Sequence, residues 1–167
     1  MSRVHRHALS KSEAKEVSSR IGREFKLERA LDHKAKWEVL QLSRDLAVYV
    51  VDELPVAIEV EGRLIPSLRA VSERIIVLPK VVVDMGAVKH IANGADVMAP
   101  GVTRIEGDFD RGDIVAVVDE RYGKPLCVGS ALASREDVEK AERGKVVENI
   151  HHVGDKIWVK LKEVGLV

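Results

Sequence analysis

The spacing of apolar positions changes along this chain, and each change predicts a different element. Ala14, Val17 and Ile21 recur at intervals of three and four, one apolar stripe on a helix, so residues 11–22 are predicted to be helical. Ser10-Lys11-Ser12-Glu13 marks the start: the Ser10 hydroxyl can accept the amide of residue 13 while Glu13 reaches back, a capping box. Beyond Trp37 the character changes. Val48, Val50 and Val51 form a β-branched run, and Val56, Ile58 and Val60 alternate at period two, as strand residues do. Glu61-Gly62 predicts a hairpin turn leading to Leu64-Ile65, and Pro55, Pro66 and Pro79 punctuate the segments. The first half therefore reads as one or two helices packed on a small, largely antiparallel sheet.

Leu78-Pro79-Lys80 reads as a boundary, dividing the chain into domains 1–78 and 79–167. "VVVD" then predicts a short buried strand, with Asp84 placed to cap a helix and Val88, Ile91 and Ala92 on its apolar face. Lys89 and Asn93 share another face at i, i+4, and Gly94 stands where a helix ends in the left-handed region. "DVMAPGVTRI" predicts a strand broken at Pro100-Gly101, which implies a bulge or a sheet edge. Strands follow at Ile114–Val118 and through "RYGKPLCVGSALA". Ser134 with Asp137 predicts a helix over 135–143 closed by Gly144, and "KVVENIHHVGDKIWVKL" predicts a hairpin turning near Val153-Gly154-Asp155. Short strands with two short helices predict a small, partly closed barrel, and the fold class is α+β. Asn93, Gly94, Pro100 and Gly101 crowd into the fifteen residues from Val88 to Val102. Such crowding marks either a tight corner of a β-domain or a surface that another molecule's backbone approaches closely.

Composition narrows the setting. A length of 167 residues suits one large domain or two small ones at roughly 100–200 residues per domain. No apolar run nears the roughly 18–20 residues that span a bilayer, and "MSRVHRHALS" lacks a signal-peptide core, so a cytoplasmic, soluble protein without a membrane partner is expected. A lone Cys127 excludes an internal disulfide framework and a cysteine-rich zinc site. Gln41, Asn93 and Asn149 are the only side-chain amides, a scarcity that points to a thermophilic source. The net charge of zero hides an asymmetry: residues 1–36 carry ten Lys/Arg against five acids, while residues 37–80 total −2 and 81–167 total −3. A basic end fits either a polyanionic partner or a solvated helix face of mixed charge.

Candidate chemistry is thin. His151 and His152 are adjacent, so in a strand they face opposite ways and cannot share a metal without distortion. Asp108, Asp110 and Asp113 lack the glycine and glutamate positions of a calcium loop and read as a solvated turn. Cys127 sits in an apolar strand as an inert thiol, and Ser130 in "VGSAL" lacks the second glycine of a nucleophile elbow. There is no phosphate loop or dinucleotide fingerprint. No active site, metal or cofactor is expected. Binding remains: Gly94, Ala95 and Gly101 leave a surface with little side-chain obstruction, and Lys89 can supply charge beside it.

"VVVDMGAVKHIANGADVMAPGV", followed by "GDFDRGDIVAVV" and "GKPLCVGSALAS", resembles a PUA domain, the module named for pseudouridine synthases and archaeosine transglycosylases, over roughly residues 79–160. The N-terminal part, ending "RLIPSLRAV", resembles the pre-PUA domain of the malignant T-cell-amplified-sequence family of translation proteins, also found at the start of ligatin, and archaea carry short members of this build. The resemblance implies a pseudo-barrel that binds structured RNA through its first helix, the following loop and the adjoining strand. On this chain those positions are Lys89, His90, Asn93, Gly94, Ala95, Met98, Pro100 and Gly101, with Gly129-Ser130 on a neighbouring strand. Arg3, Arg6, Lys11, Lys15, Arg20 and Arg23 are further basic candidates for RNA contact. The resemblance further implies a non-enzymatic factor acting with the small ribosomal subunit or with tRNA in initiation or recycling, and an initiation-factor-like protein partner supplied in trans. An RNA-targeting accessory module for a tRNA-modifying enzyme, a transglycosylase or pseudouridine synthase, is the alternative.

Overall fold

The structure, a computed structural model, describes residues 4–167. Two compact units are present: one ends at Val77 and takes in Lys160–Val167, and the other spans Leu78–Val159.

In the first unit the order is β1 (His5–Ala8), α1 (Lys11–Glu24), β2 (Lys26–Leu27), β3 (Trp37–Ser43), β4 (Leu46–Val51), β5 (Leu54–Val60), β6 (Arg63–Pro66), α2 (Leu68–Ser72) and β7 (Ile76–Val77). Strands β1, β3, β4, β5 and β6 lie in that order in one antiparallel sheet, and β2 pairs with β7. Both halves of the predicted capping box form at Ser10 and Glu13, and α1 continues two residues past Gly22 to Glu24. Ile21 from α1, Leu40, Val48, Val50, Val56 and Ile58 from the sheet, and Leu68 from α2 are buried. The alternation of strand residues thus gives one covered face.

Glu61 and Gly62 both take positive φ, 50° and 81°, as the predicted hairpin requires. The β4–β5 connection uses the same geometry without a glycine, at Asp52 (φ 46°) and Glu53 (φ 68°). Two non-glycine residues there cost roughly 1–3 kcal/mol each. Compensating contacts are present: Asp52 Oδ1 accepts the Lys36 amide at 3.0 Å, and Glu53 Oε1 pairs with Arg6 Nη2 at 2.6 Å.

The second unit holds β8 (Lys80–Val83), α3 (Met85–Ala92), β9 (Val97–Met98), β10 (Val102–Glu106), β11 (Ile114–Asp119), β12 (Pro125–Ala131), α4 (Arg135–Lys140) and β13 (Lys145–His152). The sheet order is β10-β8-β11-β12-β13-β9, with β8 and β11 parallel and the other neighbours antiparallel. The two edge strands, β9 and β10, are separated in sequence only by a single 3-10 turn, Ala99–Gly101. A sheet whose opposite edges are joined by three residues must curl until those edges meet. That is the partly closed barrel, and it explains why proline is tolerated at residue 100: it sits at the seam, outside the ladders. Val81, Val83, Ile91, Val97, Phe109, Val115, Val117, Cys127 and Val147 fill the interior.

Two sequence expectations need correction here. The helix predicted over 135–143 stops at Lys140, with the Ala141 amide closing on Asp137 and Val138 carbonyls. The hairpin predicted after Val153 is a helix, α5 (Lys156–Glu163). Ile157, Val159 and Leu161 alternate as a strand would, but Ile157 and Leu161 are buried at i, i+4 while Val159 is 45% exposed. The Asp155 carboxylate decides the outcome by accepting the Trp158 amide at 2.8 Å, which caps the first turn.

Candidate nucleic-acid interface

Helix α3 begins and ends as its residues dictate. Asp84 Oδ1 accepts the Ala87 amide at 2.9 Å. At the other end Gly94 takes φ 100°, its amide donates to Ile91 O at 3.0 Å, and the Ala95 amide donates to His90 O at 3.0 Å. This paired 6→1 and 5→2 closure is the Schellman ending that glycine permits. Space is a second reason for glycine here, because a Cβ on residue 94 would lie 2.9 Å from His152 Nε2. Gly101 also packs tightly, though less so, its absent Cβ falling 3.3 Å from the Ala87 methyl.

Next to this corner lies a groove of about 620 Å³ lined by Ala87, His90, Ile91, Gly94, Ala95, Asp96, Met98, Gly101 and Lys145. Its floor is small because Ala87, Gly94, Ala95 and Gly101 carry a methyl group or nothing. Met98 is 47% exposed at its edge. Lys145 Nζ stands 3.1 Å from Asp96 Oδ2, and the Asn149 amide donates to Asp96 Oδ1 at 2.9 Å. That backbone hydrogen bond, with Lys145 adding to it, holds the Asp96 carboxyl below the ordinary carboxylate range. Asn149 Nδ2 donates both to Ile91 O, which also accepts the Gly94 amide, and to Ala95 O, each at 3.0 Å, so it ties β13 to the end of α3 and the loop after it. Several backbone groups of the corner are therefore paired within the fold. A ligand seated there meets side chains and small-residue surface.

Of the positions named from sequence, His90, Gly94, Ala95, Met98 and Gly101 come together in the groove lining. Lys89, Asn93 and Pro100 are exposed on the same corner without lining the groove. Gly129 and Ser130 do not belong to this surface. Both are buried in β12, and a Cβ on Gly129 would lie 2.5 Å from Val147 Cγ1 and 2.6 Å from Glu148 O, so the glycine is required by strand packing. Asn149 and Lys145 were missed by sequence reasoning. They lie some fifty residues downstream of α3, and the only signal was that Asn149 is one of three amide side chains in the chain.

The basic N-terminal candidates separate by their partners. Arg3 lies outside the described residues. Arg6 is committed to the nearly buried Glu38, with Nε–Oε2 and Nη2–Oε1 both at 2.8 Å, and to Glu53. Arg20 is held by Glu59 at 2.6 Å and by Gly62 O at 2.9 Å. These two arginines brace the first unit. Lys11, Lys15 and Arg23 remain exposed on α1.

Other candidate groups are occupied structurally. His151 is buried with Nδ1 2.7 Å from Asp155 Oδ2, whereas His152 Nδ1 lies 2.9 Å from Val153 O. Burial pushes the Cys127 thiol up to about 12, far from thiolate chemistry. No helix among the described residues is long and apolar enough to cross a membrane.

Comparison with known proteins adds the family. Residues 79–153 match the PUA domain, and residues 5–74 match a domain of unknown function, DUF1947. An uncharacterized protein of Methanocaldococcus jannaschii is 36% identical over 154 residues, covering 92% of this chain and 94% of that one. Translation machinery-associated protein 20 of Eremothecium gossypii is 30% identical over 153 residues, 85% of this chain and 84% of its own length. The chain belongs to the family that joins a DUF1947 domain to a PUA domain, that of translation machinery-associated protein 20 and the malignant T-cell-amplified sequence proteins. The rat malignant T-cell-amplified sequence 1 is 38% identical over 101 residues, 59% of this chain and 56% of that protein. Among solved structures, a PUA-domain protein of Aeropyrum pernix in complex with tartrate superposes with a TM-score of 0.85 at 31% identity, covering 98% of this chain and 94% of that one. Archaeal relatives matched over nearly the whole length agree with the amide-poor composition.

Proposed function

We propose that this chain is a non-enzymatic RNA-binding factor of translation that seats structured RNA against the corner formed by the end of α3, the seam at Ala99–Gly101 and β13. The observation that carries this reading is the groove itself: a floor of Ala87, Gly94, Ala95 and Gly101, with His90 and the Lys145–Asp96 pair in its lining and the exposed Lys89 beside it to supply net positive charge. A phosphodiester chain needs close approach and positive charge, and this surface offers both. Affinity in this reading comes from the basic side chains and from van der Waals contact along the floor. Asn149 positions the corner without touching the RNA.

Membership of a family whose relatives are named for the translation machinery favours the small ribosomal subunit or tRNA as the RNA, in initiation or recycling, within the cytoplasm. An initiation-factor-like protein acting in trans completes the proposal. The test is fluorescence anisotropy with a labelled tRNA transcript and with small-subunit RNA fragments, measured from low to high salt. Replacing Lys89 and Lys145 by Ala is expected to lower the slope of log affinity against log salt by about 0.7–0.9 per lost contact. An unchanged slope in that variant, or no binding by the native chain, overturns the reading. Co-purification with a tRNA-modifying enzyme in place of small subunits would favour the accessory-module alternative.

A further inference from the structure

A second concave surface lies wholly within the first unit, where α1 begins. Its volume is about 490 Å³. Lys11 and Lys15 from the first turns of α1, together with His33 and Lys34 from the loop before β3, supply its charge. Leu9, Ala14 and Ala35 supply apolar surface, and Ser10 and Ser12 complete the lining. Among the described residues no carboxylate lines it.

Of the acids nearest in sequence, Glu13 Oε1 accepts the Ser10 amide at 3.1 Å in the capping box and Asp32 Oδ1 accepts the Lys34 amide at 2.8 Å, while neither they nor Glu16 line the pocket. The side chains of Lys11, Lys15 and Lys34 have no ion-pair partner among the described residues, although the same unit pairs Arg6, Arg20 and Lys36 with carboxylates. Folding alone disfavours this arrangement. Lys11 and Lys15 repel each other at i, i+4, and Lys11, in the first turn, stands at the positive end of the helix dipole. An anion in the pocket reverses the sign of each of these terms.

We propose that this pocket is a second RNA contact, in which Lys11, Lys15 and Lys34 bind backbone phosphates while the Leu9, Ala14 and Ala35 surface lies against sugar or base. Charge complementarity decides the occupant: three unpaired ammonium groups around a small apolar floor match a polyphosphate chain. The proposal rests on the RNA-binding reading above and extends it to a surface on the other compact unit.

The experiment uses the full chain, a fluorescein-labelled tRNA transcript and a salt series, with three variants. One carries Lys11→Ala, Lys15→Ala and Lys34→Ala; a second carries Lys→Arg at the same positions; the third is Lys89→Ala with Lys145→Ala. Three lost phosphate contacts should reduce the salt slope by about 2, which corresponds to about a hundredfold weaker binding at about 0.1 M salt. The arginine variant should keep the native slope. A native slope in the alanine variant, with a reduced slope in the Lys89/Lys145 variant, overturns this inference and leaves the proposed function standing. The reverse pattern supports the pocket and overturns the groove, and absence of binding by the native chain overturns both. If the alanine variant binds RNA normally but loses binding to polyglutamate, the pocket serves an acidic protein surface and the RNA assignment is overturned.

Discussion

Replacing Gly129 by Ala separates a glycine kept for packing from one kept for a ligand. Gly129 is buried in β12 and its φ lies outside the left-handed region, so the substitution adds no backbone strain. All of the cost is spatial. The new methyl would stand 2.5 Å from Val147 Cγ1 and 2.6 Å from Glu148 O, where relaxed heavy-atom contacts need about 3.5–4.0 Å. Val147 can turn or shift a little, but the Glu148 carbonyl belongs to β13, which pairs with β12 on this side. Relief therefore requires the two strands to part by several tenths of an ångström. Overpacking of this kind costs about 1–3 kcal/mol, and the backbone neighbour puts this site toward the upper end. Amide hydrogen exchange across Leu126–Val128 and Val146–Val147 reports the opening free energy of this unit directly. A loss of about 2–3 kcal/mol is expected, with RNA affinity of the folded fraction unchanged. A loss below about 0.5 kcal/mol would refute the packing argument, and weakened RNA binding without lost stability would return Gly129 to the binding surface.

The other expectations concern the corner and the brace of the first unit. Gly94→Ala should cost about 1–2 kcal/mol, part from positive φ and part from contact with His152 Nε2; adding His152→Ala should recover the contact part, and additivity in a double-mutant cycle would contradict it. Asn149→Ala removes the side-chain donor to Ala95 O and one of the donors to Ile91 O, so faster hydrogen exchange in the last turn of α3 and a loss of about 1–2 kcal/mol should follow. Arg6→Ala leaves the nearly buried Glu38 carboxylate with only the Lys36 ammonium, 3.6 Å away, which should cost about 1–3 kcal/mol by urea denaturation without altering the RNA salt slope. The Arg6 hydrogen bond holds the Glu38 carboxyl below its ordinary range, and the Tyr122 amide does the same for the buried Asp119. Both folded-state values are depressed, so their stabilisation is complete above about pH 5 and is lost progressively as pH falls below it. The stability gap between the native chain and Arg6→Ala should accordingly narrow in acid, and a gap constant from pH 7 to pH 2.5 would disprove the linkage.

The elements whose ends are written within a few residues were legible in the sequence. The Ser10 capping box, the Asp84 cap, the Gly94 closure and the Glu61-Gly62 hairpin each depend on a side chain or a φ within four positions of the group it serves. Such signals survive without knowledge of the rest of the chain. The Asp52-Glu53 hairpin was not legible, because no glycine announces it and its compensation comes from Lys36, just before β3, and from Arg6 on β1. Helix α5 was misread because three apolar residues two apart satisfy a strand and a helix alike, and only burial distinguishes Ile157 and Leu161 from Val159.

The candidate surface divides the same way. Local sequence determined that residues 88–102 make a tight corner, since helix termination and the proline–glycine seam are properties of the backbone itself. Tertiary structure alone decided which residues stand on that corner. It removed Gly129 and Ser130 by pairing β12 with β13, tied Arg6 and Arg20 to carboxylates more than thirty positions away, and brought Asn149 and Lys145 to the end of α3. Charge and chain position say what a side chain can pair with; only the closed fold says which partner reaches it first.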